Sequence, residues 1–297
     1  MNKKFSILAS VLLGASLLSC DSGNDDDNEV VYSRNMMVAI ADQSGKTQYT
    51  PTATGFYINE DKPGVGSLAL VAIQKPDGTI LNMPTCSNMT VNELSDGQGY
   101  VFRAGMSTQF SNFANDIPMS VSAKLSGRIW TSSRTTNASV SMTFSNGTSL
   151  AGFGGDLSFY TNATITDSQN PTDAPVVTAD ESSNIVRIAL NPSVSNRKAN
   201  FYIYQTSFNK NDGEKMDILI EDVSFDIDAA DGTITFRTAE ATPYKFVNGS
   251  KSELLESYKI KDFECMLSVG FDGICDINFT CGDRYKFSAL LTESLKD

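Results

Sequence analysis

The chain of 297 residues contains no histidine, and that absence removes more chemistry than any motif supplies. Ser-His-Asp and Cys-His nucleophilic systems cannot be assembled, nor can histidine-containing zinc sites or the facial triad of non-haem iron. Acid–base work would fall to carboxylates, lysine or tyrosine. With 35 acidic residues, carboxylates meet by chance; Glu221 beside Asp222 and Glu253 near Glu256 read as solvated surface groups. A glycosidase needs two at a fixed separation across a cleft. We therefore assign no catalytic residue and expect a protein that is not an enzyme. No cysteine pair has C-x-x-C spacing, so no metal site and no cofactor are assigned. A haem would need methionine ligation, and in the adjacent pair Met36-Met37 strand alternation commits one side chain to the core. Positive charge is also scarce: 23 basic residues give a net charge of −12, a field that repels phosphate backbones and anionic lipid heads. Nucleic acid is excluded as a partner on that ground, and the acidity reads as solubility.

Long apolar runs are lacking too. Phe5 to Leu18 is shorter than the ~20 residues of a membrane-spanning helix, yet Lys3 and Lys4 precede it and Ser19-Cys20 closes it. Behind Cys20 comes Asp21-Ser22-Gly23-Asn24-Asp25-Asp26-Asp27-Asn28-Glu29. The segment resembles a bacterial lipoprotein signal peptide, whose lipobox ends in a small residue and a lipidated cysteine. The aspartate-rich tract is similar to the surface-export signal of Bacteroidetes lipoproteins. The resemblance implies a signal peptide over 1–19, lipidation (such as palmitate) on Cys20, an acidic tether over 20–33, and attachment to the outer membrane at the cell surface through the lipid. Removal of 1–19 takes away two lysines, leaving 21 basic against 35 acidic residues, a net charge of −14.

The rest of the chain alternates with the period of half-buried strands. Ile218, Ile220, Val223, Phe225 and Ile227 alternate with polar residues, with a slip at 221–222 that predicts a bulge, and Asp231-Gly232 turns the chain into Ile234 and Phe236. Val121 to Trp130, Ala138 to Phe144 and Leu157 to Tyr160 behave similarly. Helical turns are expected only near Ser107 to Phe113 and Lys251 to Leu255. Phe263, Cys265 and Leu267 precede the turn signal Phe271-Asp272-Gly273, and Cys275, Ile277, Phe279 and Cys281 follow it. Cys265 and Cys275 are a candidate disulfide across that hairpin, with all four remaining cysteines as small buried hydrophobes the competing reading.

Segments recur in order. Asn35 to Ile40 answers Asn184 to Ala189; Gly55 to Asn59 answers Asn200 to Tyr204; Pro76 to Ile80 answers Ala230 to Ile234; Tyr100 to Phe102 answers Tyr244 to Phe246. Lys124 to Ile129 and Ser139 to Phe144 answer Lys261 to Met266 and Ile274 to Thr280. The fold class is therefore all-β, with two tandem antiparallel β-barrel or β-sandwich domains from an internal duplication. The first spans 34–161 and the second 184–297, with a linker at 162–183 rich in Thr, Asp, Pro and Ser. The pattern Tyr202-Ile203-Tyr204, Met216 to Ile220, Tyr258-Lys259-Ile260 and the hairpin Ile274 to Leu290 resembles the calycin-like β-barrel domains of Bacteroidetes lipoproteins. That resemblance implies fold and location, without site residues.

Two functions fit. One is an extracellular ligand- or glycan-binding module, with Trp130, Tyr160, Tyr202 and Tyr204 as candidate stacking residues, although core packing accounts for their alternation equally well. The other is a structural or accessory component of a surface assembly or adhesin, with a protein partner.

Overall fold

The computed structural model describes residues 29–59, 62–70, 73–74, 80–81, 85–94, 99–104, 109–110, 118–126, 129–130, 133–134, 137–144, 147–154, 157–160, 163–177, 185–190, 196–207, 215–268 and 275–291. Within them every regular element is a strand except one 3-10 turn, Glu256–Tyr258. The all-β expectation holds. The signal segment, Cys20, the acidic tract and the turn at 271–273 lie outside the described residues.

Eight strands form the first ring: β1 (Glu29–Ala41), β2 (Thr47–Asn59), β3 (Val65–Leu70), β4 (Thr85–Glu93), β5 (Gly99–Arg103), β6 (Pro118–Ser126), β7 (Asn137–Phe144) and β8 (Ser149–Gly154). Each pairs antiparallel with the next along the chain, and β8 returns to β1 from Met37 opposite Phe153 to Ala41 opposite Ser149. The sheet thus closes on itself, with Gln109–Phe110 added beside β4. Each strand sends an apolar side chain inward: Val38, Phe56, Leu68, Met89, Phe102, Ala123, Val140 and Leu150 are all fully buried in one cluster. The interior is packed with side chains, as small barrels require. Met36 points into it and Met37 onto the opposite face, so their sulfurs do not converge on a shared ligand.

The second sheet contains β9 (Leu157–Tyr160), β10 (Ala163–Asp167), β11 (Ile185–Leu190), β12 (Lys198–Thr206), β13 (Met216–Asp228), β14 (Thr233–Ala241), β15 (Tyr244–Val247), β16 (Ser250–Leu254), β17 (Ile260–Ser268), β18 (Cys275–Cys281) and β19 (Tyr285–Leu291). Its order is β9-β11-β12-β13-β14-β17-β18-β19-β10, with β15 and β16 branching from β13. The path starts at β9, and β10 near its other end carries Val176–Val177 on its outer side. β9 and β10 are consecutive in the chain: Tyr160 and Ala163 are three residues apart, at most about 11 Å of backbone, so these two strands stay close. Counted as one member, β9 with β10 gives the second sheet eight members in the same meander order as the first ring.

The bulge expected at 221–222 is present: Phe201 faces Ile220 while Ala199 faces Val223, and Asp222 takes φ 55°. Three expectations need correction. The stretch 162–183 is not a free linker: β10 pairs with β19, and Val176–Val177 pairs back onto β10. Its polar composition belongs to the exposed turn at 168–175. The second unit accordingly begins at Leu157, which pairs with Ile188, rather than at residue 184. The expected segment matches do not keep one register along the two sheets. In sheet order the late matches hold, β6 with β17 and β7 with β18, whereas β1 answers β9–β10 rather than β11, and β2 answers β11 rather than β12. Alternation is the same in every strand, so segment matching tolerates a one-strand slip. Finally, Lys251 to Leu255 is mostly strand, and only the next three residues make a helical turn.

The two sheets share a core. On β1 and β8 the side chains facing away from the first interior include Ala39, Ala41, Ala151 and Phe153, and these four belong to the apolar cluster of the second sheet. Every residue of β8 is consequently buried, on both faces. From Phe153 a line of touching rings crosses the second core through Phe236, Phe201, Phe263, Phe279 and Phe287, with centroids 4.6 to 6.2 Å apart. At the margin the Ile227 amide donates to the Tyr49 hydroxyl at 3.0 Å, and the Arg197 guanidinium lies over the Tyr49 ring while pairing with Asp226.

Near the start of the second sheet Asp167, 4% exposed, accepts from Arg284 Nε at 2.9 Å and Nη2 at 2.6 Å, and from Asn170 and the Gln169 amide. Arg284 foremost holds this carboxyl well below the usual carboxylate range. The pair fastens β10 to the β18–β19 turn and has no open coordination to offer a ligand.

Candidate ligand-binding face

The side of the second sheet opposite its core carries a cluster of aromatic rings. On β12, Phe201 and Ile203 are buried in the core, so the two-residue period turns Tyr202 and Tyr204 outward. Tyr202 stands opposite Leu219 on β13, which stands opposite Tyr244 on β15. Phe246, two residues on, shares that face. The Tyr202 and Tyr204 rings are nearly parallel, 14° apart with centroids at 6.3 Å. Phe246 sets its ring steeply against both, at 5.1 and 6.4 Å. Leu219, 2% exposed, is covered, and the three rings remain half-buried.

The hairpin β15–β16 builds one wall of this face. Its loop is Asn248-Gly249, at φ 50° and 79°, between the pair Val247 and Ser250. Two successive left-handed residues are what a two-residue hairpin turn demands, and Asn-Gly supplies them with little strain. Lys251 pins the hairpin down: its Nζ donates to Glu221 Oε2 at 2.7 Å and lies 4.4 Å from the Tyr244 ring centre. The Glu221 contact raises the Lys251 pKa, so the ammonium stays charged. Lys245 pairs with Glu253 at 3.8 Å. Asp217 accepts from the Gln205 amide at 2.8 Å. The result is an apolar ring cluster bordered by charged and amide groups.

Of the four candidate stacking residues, the fold brings together Tyr202 and Tyr204. Trp130 lies on a separate two-stranded ribbon, opposite Ser133, and Tyr160 on β9, opposite Ile185; their side chains lie outside the described residues. Phe246, Tyr244 and Lys251 escaped the sequence reading. The alternation Tyr244-Lys245-Phe246 before Asn248-Gly249 was the available signal, a strand and hairpin turn, but pairing to β13 is a long-range event that no local pattern reveals.

The candidate disulfide does not have its expected register. Cys265 faces Ile277, and Cys275 faces Leu267, so the two cysteines are diagonal rather than directly opposed. Diagonal neighbours on one face stand about 7–8 Å apart, against the ~3.8 Å between Cβ atoms that a disulfide needs. Cys86, Cys265 and Cys281 are buried. Burial pushes the Cys86 and Cys281 thiols up to about 12. Iodoacetamide at pH 8 is expected to leave both unlabelled in the folded protein and to label both in urea, as read by peptide mass spectrometry; labelling of either without denaturant contradicts the packing. Their raised pKa has a signed consequence. Unfolded thiols ionise near ~8.5, so the stability these groups contribute is intact below that pH and declines as pH rises toward about 12.

Among the described residues no group of three or more Cys, Asp or Glu side chains is arranged to hold a metal ion, and no helix is long and apolar enough to cross a membrane. No family model, curated protein or solved structure matches the chain.

Proposed function

We propose that this chain is a non-catalytic lipoprotein of the outer-membrane surface that binds a glycan on the Tyr202, Tyr204 and Phe246 face. The single observation that carries the reading is the outward position of these rings on a strand whose other face is core. A core role for Tyr202 and Tyr204 would place them with Phe201 and Ile203. Apolar rings kept half-exposed beside hydrogen-bonding groups suit a pyranose, whose C–H face packs on an aromatic ring while its hydroxyls meet Asp217, Gln205 and Glu221. The lipobox-like Ser19-Cys20 and the acidic tract support attachment through a lipid on Cys20, with the tether holding the body off the membrane. Affinity electrophoresis in polysaccharide gels tests the reading. The double variant Tyr202→Ala, Tyr204→Ala is expected to weaken retardation by about tenfold or more, each ring contributing about 1 kcal/mol, while the fold survives because the core face is untouched. Equal retardation of the variant and the parent refutes the assignment of the site.

A second reading, a structural or accessory component of a surface assembly, has one observation in its favour. Among the described residues, Glu29 to Asn35 of β1 pairs only with β2, because β8 meets β1 from Met37 onward. Such an edge accepts an added strand from a protein partner. Recovery of the lipoprotein alone from detergent-solubilised envelopes would count against it.

A further inference from the structure

The hairpin β15–β16 is built as an arm on a fixed base. At the base the Pro243 carbonyl accepts from the Leu255 amide at 2.9 Å, and Leu255 packs against the second core. Beyond it none of the residues 244–254 is buried, and Ser250–Leu254 is exposed along its whole length. The neighbouring strands differ, since Phe201 and Ile203 fix β12 in the core and Ile218 and Ile220 fix β13. Among the described residues the arm pairs with the sheet at two register positions, Lys245 opposite Ile218 and Tyr244 opposite Leu219. A segment with no core side chain and a short ladder opens at a lower free energy than the strands beside it.

Lys251 reaches from the outer strand of the arm to the sheet. Its Nζ donates to Glu221 Oε2 at 2.7 Å and stands 4.4 Å from the centre of the Tyr244 ring. Glu221 lies next to Asp222, whose φ of 55° marks the β13 bulge, a device that re-aims a side chain. Lys245 pairs with Glu253 of the same hairpin, a contact that stiffens the arm without fastening it. The arm carries Phe246, whose ring meets Tyr202 at 5.1 Å and Tyr204 at 6.4 Å. Movement of the arm therefore takes one of the three rings away from the other two. Arg187 also stands in this row, opposite Tyr202, so the Lys251 contact sets where the rings sit and not which charge the face accepts.

We infer that β15–β16 is a movable flap of the aromatic face, that the Lys251–Glu221 pair is its latch, and that the latch sets how often Phe246 stands where a ligand of this face needs it. The last step rests on the glycan-binding reading above. An exposed ion pair with a ring contact is a modest restraint, so the effects are modest too. Hydrogen exchange followed by mass spectrometry on the full mature chain tests the latch. In the parent, peptides covering 243–255 are expected to exchange faster than those of β13 and β17. Lys251→Met and Glu221→Gln should each speed them by about fivefold and the double variant no further, while Lys251→Arg matches the parent and β13 and β17 stay unchanged. Affinity electrophoresis in gels of β-glucan, mannan or polygalacturonate tests the coupling to the site. The polymer that retards the parent should bind Lys251→Met about two- to fourfold more weakly and Lys251→Arg equally, because a site competent for part of the time binds in that proportion. Unchanged exchange in Lys251→Met, or a double variant faster than either single one, overturns the latch. Faster exchange with undiminished retardation overturns the coupling and leaves glycan binding standing. Absence of retardation of the parent in all three gels removes the glycan reading, and the exchange data then decide the latch by themselves.

Discussion

Replacing Gly152 by alanine is expected to cost about 3 kcal/mol and lower Tm by roughly 6–12 °C. The residue sits in the middle of β8, opposite Val38 on β1. A methyl group there would lie 2.4 Å from Val38 Cγ1, 2.5 Å from the Met37 carbonyl oxygen and 2.9 Å from Val38 Cα. Two of these three atoms are backbone, so a rotamer change cannot relieve the overlap and β1 would have to move. Movement is resisted on both sides, since β1 is packed against the first interior through Val38 and Ile40 and against the second core through Ala39 and Ala41. Gly45 is the control. Its φ of 79° favours glycine, but a methyl group there would meet nothing within 4 Å, so Gly45→Ala should cost only about 1–2 kcal/mol. Thermal melts that place the two variants level would show that β1 and β8 are not as tightly apposed as the structure has them.

The second large effect concerns the joint between the sheets. Phe153→Ala is expected to cost about 3–5 kcal/mol and to divide the unfolding of the protein into two transitions. Phe153 belongs by sequence to the first sheet and by packing to the second. Its ring meets Phe225 at 6.1 Å and Phe236 at 6.2 Å, both nearly edge-on. Ala39, Ala41 and Ala151 around it are small enough to let the sheets approach but bury little area themselves, so the phenylalanine carries most of the apolar coupling. Calorimetry on the parent should give a single transition and on the variant a resolved pair. A parent that already melts in two steps would mean that the shared core contributes little to cooperativity.

Much of the strand content was readable along the chain, because a period of two is a local property. The bulge at 221–222 was legible for the same reason: a bulge inserts one residue and shifts the parity of Ile218 and Ile220 against Val223 and Phe225. The Asp231-Gly232 turn was legible because Gly232 occupies a φ of 66° that few other residues take easily. The linker was misread because composition reports exposure, and an exposed turn between two paired strands has the composition of a tether. Whether Tyr202 and Tyr204 face core or solvent was undecidable from alternation, since a strand has two faces and Phe201 with Ile203 could equally have been the outer set.

The sequence by itself determined that the described body is built of strands and that the chain is acidic and without histidine chemistry. It also places Cys20 where an anchoring lipid is expected. Only the tertiary structure decided that the first meander closes into a ring, that one core is shared across the two sheets through Phe153, and that Tyr202, Tyr204 and Phe246 meet on an outward face. The physical reason is range. Alternation, turn chemistry and charge are fixed within a few residues, whereas ring closure, shared burial and the meeting of β12 with β15 depend on pairings between residues tens to more than a hundred positions apart.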